Sequence, residues 1–372
     1  MSLTDFRTLG RSGLVVSPLC LGTMTFGPGG WGADESTSRQ IFDAYRRAGG
    51  NFVDTADVYT GGVSEQLLGK FIKDSGSRDN IVLATKFAFN ASANPLDAMQ
   101  KGGGNPNAGG NGSKNIHRAL DASLKRLGTD YIDLYWMHIW DGVTPAEEIV
   151  QTLGDLVRAG KIRYYGFSDM PAWFAIKAAT ITAERQYPRP IAMQLEYSLV
   201  ARDVESEHVP AARESNMGVM PWSPLAGGFL TGKYKREDTS STGRLSGANP
   251  FGDSKFTPRN WDILEVLKSV SAELQSDPAQ VALAWVMAQP GVASTLVGAS
   301  SVSQLQSNIA STKITLDPQQ IQRLNDASAP PTVFTSSLGM PSIRRMVFGG
   351  NNVSGWGEQH GYGLSRQGES GC

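Results

Sequence analysis

Four side chains suited to proton and hydride chemistry stand at, or just beyond, the ends of short apolar runs: Asp54 and Tyr59 in "FVDTADVY", Lys86 in "LATKF" and His138 in "LYWMHIW". Reducing a carbonyl by hydride transfer builds negative charge on oxygen, which must then receive a proton. A tyrosine can donate that proton, although a free phenol has a pKa of about 10. A lysine ammonium beside it favours the phenolate and lowers that pKa, while an aspartate holds the lysine charged and aimed. A neutral histidine can donate a hydrogen bond to the substrate oxygen and orient it. The hydride has to come from a cofactor. Taken singly, each residue has an ordinary use: an Asp capping a turn, a Tyr covering the core, a solvated Lys, a satisfied structural His. Only their convergence on one point favours the chemical use over the ordinary one.

Convergence depends on the elements that carry them. Short apolar runs recur at 17–22, 51–54, 81–86, 132–138, 162–168, 191–196, 218–223 and 294–298, each followed by a helical pattern. Eight strand–helix units predict an α/β fold, a (β/α)8 TIM barrel, whose active site lies at the C-terminal ends of the strands. Asp54, Lys86 and His138 end the second, third and fourth runs, with Tyr59 in the loop after the second, so all four are expected at one rim. The helical face of Ile116, Leu120, Leu124 and Leu127 has the required spacing. Helix starts are expected at Thr144-Pro145-Ala146-Glu147, Asp277-Pro278-Ala279-Gln280 and Asp317-Pro318-Gln319-Gln320, with a capping side chain before a first-turn proline. Gly49, Gly128 and Gly160 mark helix ends. Residues 6–16, with Gly10 and Gly13, read as an N-terminal β-hairpin outside the eight. Long loops are expected at 88–114 after the third barrel strand and 229–259 after the seventh. Residues 1–330 form one barrel domain in this reading, and 331–372 a Gly-rich tail with no evident pattern.

Composition narrows the partners. Over 372 residues, 34 Lys plus Arg balance 35 Asp plus Glu for a net charge of −1, so no basic surplus points to nucleic acid. The N-terminus lacks a signal peptide's apolar run, and no 18-residue apolar stretch suits a membrane span. Cys20 and Cys372 form no framework, and His117, His138, His208 and His360 have no zinc spacing, so no metal is expected. These features predict a cytoplasmic protein acting on a small molecule. Gly27-Pro28-Gly29-Gly30-Trp31-Gly32 matches the dinucleotide-binding G-x-G-x-x-G pattern, with Asp54 at a suggestive distance. However, the strand is expected to end near Gly22, the helical pattern starts near Ser36, and bulky Trp31 sits inside the turn. A glycine loop over a pocket fits better.

The order of motifs resembles the aldo-keto reductase superfamily over about residues 6–328: "DTADVY", "ATKF", "IDLYWMH", "GFSD", "MQLEYS", "PWSPLAGGFLTGKY" and "VGASSVSQLQSNI". The string "FSDMPAW" resembles its aryl-alcohol-dehydrogenase-like branch. The resemblance implies a barrel that holds a nicotinamide cofactor without a Rossmann domain. It also implies Tyr59 as general acid/base supported by Lys86 and Asp54, with His138 placing the substrate. By the same resemblance, Gly22, Thr23 and Met24 sit near the nicotinamide with Asp54 beside them, and Ser168, Asp169 and Gln194 meet its carboxamide. Trp222 stacks on the ring, and Ser223, Pro224, Leu225, Gly227 and Leu230 follow the pyrophosphate. Gly298, Ser300, Gln304 and Asn308 match the adenosine end, where a strand-to-helix turn suits a phosphate.

Two departures stand out. The carboxamide site usually carries Ser-Asn, and here it is Ser168-Asp169. A carboxylate only accepts, which leaves Asp169 its backbone or acceptance of the carboxamide N–H2. The Lys-Ser pair that often holds the 2′-phosphate is replaced by Gly298-Ala299, and Lys233 and Arg244, after the seventh strand, fit that role instead. NADP is therefore expected over NAD, against the plainer use of those two cations as surface charges.

Near Tyr59 and His138 in sequence, Trp31, Phe87, Phe89 and Trp140 are candidate walls of a substrate pocket for a bulky or ring-containing carbonyl, with about two of these four expected only to pack loops. The tail carries Met340, Met346, Phe348, Trp356 and Tyr362, apolar area enough to dock on the pocket or on a neighbouring subunit of a homo-oligomer. Two functional classes are open. One is an NADP-dependent oxidoreductase acting on aldehydes, ketones or the matching alcohols. The other is a nucleotide-sensing regulatory subunit of the same fold, a role in which a member of the four is often lost; this chain keeps all four.

Overall fold

The computed structural model describes residues 1–28, 32–90, 104–236, 245, 255–331 and 341–353. Two short strands, β1 (Arg7–Thr8) and β2 (Val15–Val16), form an antiparallel hairpin. Eight parallel strands come next: β3 (Leu19–Gly22), β4 (Phe52–Asp54), β5 (Val82–Phe87), β6 (Ile132–Met137), β7 (Ile162–Ser168), β8 (Ala192–Glu196), β9 (Gly218–Trp222) and β10 (Thr295–Val297). They pair in the order β10-β3-β4-β5-β6-β7-β8-β9. A parallel bridge between Val219 and Val292, with Ala293 N–H donating to Val219 O at 2.9 Å, joins β9 to the approach of β10. The strands thus form the expected (β/α)8 barrel.

Both faces of each strand are buried, which is why the strands read as continuous apolar runs. Alternation along a strand sends neighbouring residues to opposite sides. Cys20, Phe52, Val82, Ala84, Leu134, Trp136, Ala192 and Met220 fill the interior, while Leu21, Val53, Leu83, Phe87, Tyr135, Phe167 and Val219 face the helices. Gly166 has a packing reason: a Cβ there would lie 2.8 Å from Trp136 Cε3 and 2.6 Å from Ala192 O. The hairpin closes the N-terminal end, because Leu9, Leu14 and Val16 join the interior cluster. Gly10, at φ +60°, lies against Gly218 N, which a Cβ would approach to 2.7 Å.

Helices α1 (Glu35–Arg47), α2 (Val63–Asp74), α3 (Ser113–Leu127), α4 (Ala146–Arg158), α5 (Ala172–Glu184) and α6 (His208–Glu214) alternate with the strands through β9. Then come α7 (Pro258–Glu273), α8 (Pro278–Met287), α9 (Val302–Ala310) and α10 (Pro318–Ala327). The expected face of α3 is buried through Ile116, Leu120, Leu124 and Leu127. Asp317 forms a full capping box with Gln320. Asp277 stands at its cap position without a side-chain bond. Thr144 does not cap α4: Pro145 occupies that position, and the Thr144 hydroxyl donates to Asp141 Oδ2 at 2.6 Å. The Thr144 N–H also donates to Asp141 Oδ1 at 2.8 Å, so a local turn onto that carboxylate holds Thr144 one residue ahead of the cap.

Within 88–114, a short turn at Pro106–Ala108 precedes α3, and residues 91–103 lie outside the described set. The glycine loop is pinned at its base, where Phe26 bridges Ala33 and Gly27 N–H donates to Ala33 O at 2.9 Å. Its tip, including Trp31, lies outside the described residues, as does Arg244. The chain divides into two compact units, Met1–Ala329 and Pro330–Cys372. The second contains a helix, α11 (Pro341–Val347), where the sequence offered no pattern. Two turns were too short for periodicity to register, yet Gly349 and Gly350, at φ +61° and +88°, end it conventionally. Among the described residues, no helix is long and apolar enough to cross a membrane, and no cluster of metal-ligating side chains occurs.

Candidate active site

The barrel mouth is built from strand ends in register. Gly22 pairs with Asp54, Asp54 with Ala84, Lys86 with Trp136, and Ser168 with Gln194. Asp54 and Lys86 point inward and have no solvent exposure. Lys86 Nζ forms an ion pair with Asp54 Oδ1 and donates to the Thr55 carbonyl at 3.0 Å and to Tyr59 Oη at 3.1 Å. Every Nζ proton therefore has an acceptor. Gln194, from the far side of the barrel, donates to Asp54 Oδ2 at 3.2 Å. The Trp136 indole N–H is turned toward the same carboxylate without reaching hydrogen-bond geometry.

Tyr59 stands in a tight turn, Tyr59–Gly62, where Thr60 and Gly61 adopt left-handed backbone at φ +50° and +62°. The Thr60 hydroxyl donates to Phe26 O at 3.0 Å, tying this turn to the base of the glycine loop. The Tyr59 ring meets the His138 ring edge-on, with centroids 5.7 Å apart, and Phe89 meets His138 from another direction at 4.9 Å. His138 continues from β6, its N–H bonded to Phe87 O at 2.8 Å, and its buried Nδ1 has no partner.

Burial and charge set the protonation states. Burial, then the Lys86 cation, push the His138 pKa well below its usual value, so the ring is neutral. Burial works against the Lys86 ammonium, but Asp54 and Tyr59 outweigh it and raise the lysine pKa above its ordinary value. For Tyr59 the balance corrects the sequence expectation. Burial raises the phenol pKa, and Lys86 only partly opposes it, so the net shift is upward. The desolvated phenolate costs more than one ammonium returns, and the phenol holds its proton at neutral pH.

Several expected residues surround this centre. Thr23 braces Asp54, its N–H and hydroxyl donating to Asp54 O at 2.9 and 3.1 Å. Met24 is half-buried beside it. Ser168 Oγ is buried without a partner. Asp169 Oδ1 accepts from the Trp222 indole at 3.0 Å. After Trp222, left-handed backbone recurs at Ser223, Ala226, Gly227 and Gly228. Pro224, Leu225 and Leu230 lie in the same turn, closed by Leu230 N–H on Leu225 O at 3.2 Å. Lys233 folds back over it, with Nζ 3.3 Å from where a Cβ on Gly228 would lie. At the end of β10, Gly298 borders open space. Gln304 and Asn308 brace that turn: Gln304 Oε1 accepts from Ser300 N–H at 2.9 Å, and Asn308 Nδ2 donates to Gly298 O at 3.2 Å.

Of the aromatic candidates, Phe87 is turned away from the tetrad, and Trp140 packs on two other rings. Phe87 follows Lys86, so alternation turns it outward, where it is fully buried with its ring 4.9 Å from Tyr135. Trp140 packs on Phe174 at 5.4 Å and edge-on to Trp173 at 5.3 Å, its indole N–H on Thr144 O. Only Phe89 touches a tetrad ring among the described candidates. Sequence reasoning missed the Thr55 carbonyl beneath Lys86, which has no signature because it is backbone. It also missed Asp57, inside the motif itself. Both Asp57 oxygens are buried without a partner, and burial plus Glu65 push its pKa up to about 8 against Arg126 and Arg118. An apolar strand leading into a second acid within the same motif was the available signal.

A closed α/β barrel thus carries a buried acid–lysine pair, a phenol and a neutral imidazole at its C-terminal mouth, an arrangement able to move a proton at a carbonyl or alcohol oxygen. The chain belongs to the aldo/keto reductase family, whose model matches residues 18–329. It is 36% identical to an uncharacterized oxidoreductase, YrpG, of Bacillus subtilis (strain 168), over 88% of this chain and 97% of that one. It is 33% identical to a norsolorinic acid reductase of Aspergillus flavus, over 85% of this chain and 79% of that one. An aryl-alcohol dehydrogenase [NADP(+)] of Phanerodontia chrysosporium is 32% identical, with 84% of this chain and 83% of that one covered. Family and relatives together make it an oxidoreductase of carbonyl and alcohol groups.

Proposed function

We propose that the protein is an NADP-dependent carbonyl reductase in which Tyr59 is the general acid, running in reverse as an alcohol dehydrogenase when the substrate ratio favours it. The observation that carries this is the Lys86 ammonium, bonded at once to Asp54, Thr55 O and Tyr59 Oη at 3.1 Å, with the Tyr59 ring edge-on to His138.

The mouth suits a nicotinamide dinucleotide. Ser168 Oγ is a buried, unpartnered group for an amide-bearing head, and Trp222 offers a flat indole held in place by Asp169. The turn at 223–228 leads from that indole to Lys233, a cation with no carboxylate partner among the described residues, as a phosphate-bearing ligand requires. When bound, the cofactor supplies the hydride. NADP over NAD rests on Lys233 together with the cofactor in the name of the Phanerodontia relative.

The protein's own groups do the rest. Neutral His138 donates to the substrate oxygen and fixes it beside Tyr59. As charge develops there, Tyr59 Oη gives its proton to that oxygen, and the phenolate is stabilised by Lys86. Asp54, held in turn by Gln194, keeps the lysine charged and directed. Phe89, perpendicular to His138, favours ring-bearing substrates, as do the names of the relatives that act on norsolorinic acid and aryl alcohols. An intact tetrad speaks for turnover over a purely nucleotide-sensing role.

The test is NADPH oxidation with 4-nitrobenzaldehyde and a wider carbonyl panel, for wild type and Tyr59→Phe. Loss of about 10²–10⁴-fold in kcat with NADPH binding retained is expected of the variant. Tight NADPH binding by the wild type without turnover on any carbonyl would defeat the enzyme reading in favour of the sensor.

A further inference from the structure

The C-terminal end of β7 departs from ordinary backbone geometry. Asp169 lies in the left-handed region at φ +46°, which Gly, Asn and Asp adopt more readily than other residues. Its carbonyl accepts the Trp140 N–H at 3.3 Å, and its N–H reaches Gln194 O at 3.4 Å. This conformation brings the carboxylate to the edge of the Trp222 indole, whose N–H it accepts at 3.0 Å. An asparagine could accept the same bond through its amide oxygen. Holding the indole therefore does not explain a charge at this position.

The charge has a use if a nicotinamide lies on Trp222, so its role rests on the cofactor reading proposed for this mouth. The oxidised nicotinamide ring is cationic and the reduced ring neutral. A fixed carboxylate at the edge of the platform attracts the first and is nearly indifferent to the second. We infer that Asp169 makes the barrel mouth discriminate between redox states of its cofactor, holding the oxidised form more tightly than an uncharged residue would.

Other charges facing Asp169 do not cancel this effect. Lys86 and Tyr59 face it from the tetrad side, and Lys86 is already neutralised by Asp54. Glu196 faces it from β8 and is paired with Lys255 at 3.0 Å. Burial pushes the Asp169 carboxyl up to about 6; Glu196 adds to that rise, while the Trp222 bond, the Ser168 hydroxyl turned toward it short of hydrogen-bond geometry, and Lys86 oppose it. A carboxyl with a raised pKa carries its charge only above that value, so the discrimination is present at neutral pH and fades as pH falls through about 6.

Isothermal titration calorimetry of the full chain with NADP+ and with NADPH reads the effect without turnover. The quantity of interest is the Kd for NADPH divided by that for NADP+, because titration of the shared 2′-phosphate cancels in the ratio. In the wild type this ratio should fall about tenfold between about pH 8 and about pH 5. In Asp169→Asn it should be about tenfold lower than wild type at the higher pH and flat across the range. Glu196→Gln should leave it within about twofold, since Glu196 is part-exposed and solvent screens a change of charge there more than one at Asp169. A wild-type ratio that does not change with pH, an Asp169→Asn ratio equal to wild type, or an equal loss in Glu196→Gln would each overturn the inference while leaving the cofactor reading standing. Failure of the wild type to bind either dinucleotide would overturn both. If Asp169→Asn does not fold, the wild-type pH series decides alone.

Discussion

The ion pair under Tyr59 invites a double-mutant cycle. Asp54 and Lys86 have no solvent exposure, and each is the other's only charged hydrogen-bond partner among the described residues. Asp54→Asn leaves a buried ammonium with only neutral acceptors, the new amide oxygen, Thr55 O and Tyr59 Oη, and no counter-charge. Lys86→Met leaves a buried carboxylate with only Gln194 as a donor. Breaking one side of a buried pair costs about 3–5 kcal/mol, a large share of the roughly 5–15 kcal/mol that holds a domain folded. The double variant carries no buried charge. Its main residual loss is an unpaired Thr55 carbonyl, about 1–3 kcal/mol. The two single losses should then sum to several kcal/mol more than the loss in the double, well beyond the ~0.5 kcal/mol scatter of independent sites. Urea unfolding at neutral pH, followed by far-UV circular dichroism, measures this directly. Turnover should move differently, with all three variants impaired because each lacks the charged lysine or its aim. A double variant as unstable as the summed singles would show that the pair is not coupled as the geometry requires.

Three further outcomes are expected. Asp57 is neutral in the fold and ionised in the unfolded chain at neutral pH, because its folded pKa is raised to about 8. Its contribution is fully present below the unfolded value of about 3.9 and drains away by about 1.4 kcal/mol per pH unit as pH rises toward 8. Asp57→Asn should therefore flatten the decline of Tm between those limits, and a parallel decline would refute it. Gly166→Ala should cost at least about 1–3 kcal/mol in chemical unfolding, since its Cβ meets Ala192 O at 2.6 Å as well as the Trp136 ring; an unchanged midpoint would mean that the interior gives way more easily than its packing suggests. Phe89→Ala should lower kcat/KM about 2–10-fold for aromatic aldehydes relative to aliphatic ones of equal size, and an equal loss on both would reduce Phe89 to a packing role.

Much of this was legible in one dimension. Eight apolar runs, each ending near a polar residue and followed by a helical pattern, are enough to place a barrel and its rim, because strand and helix periods and turn residues are local properties. Asp54, Lys86 and His138 could be assigned to that rim because each directly ends such a run. The outward direction of Phe87 was also available from its adjacency to Lys86, since neighbours on a strand face opposite sides. Other features depended on closure of the ring. Gln194 meets Asp54 across 140 residues of chain, and no spacing rule connects them. Thr144, by contrast, was missed locally: it turns onto Asp141 only three residues back, one residue ahead of the cap.

The residue types at the mouth, and hence the chemistry they can support, were fixed by the chain itself. The protonation states were not. Tyr59 has a pKa raised by burial in spite of the Lys86 cation, and Asp57 has one raised to about 8 by burial first and Glu65 second. Desolvation depends on every atom that excludes water from a group, and those atoms come from strands far apart in sequence. A sequence names the acids and bases; only the packed barrel decides which of them carry charge.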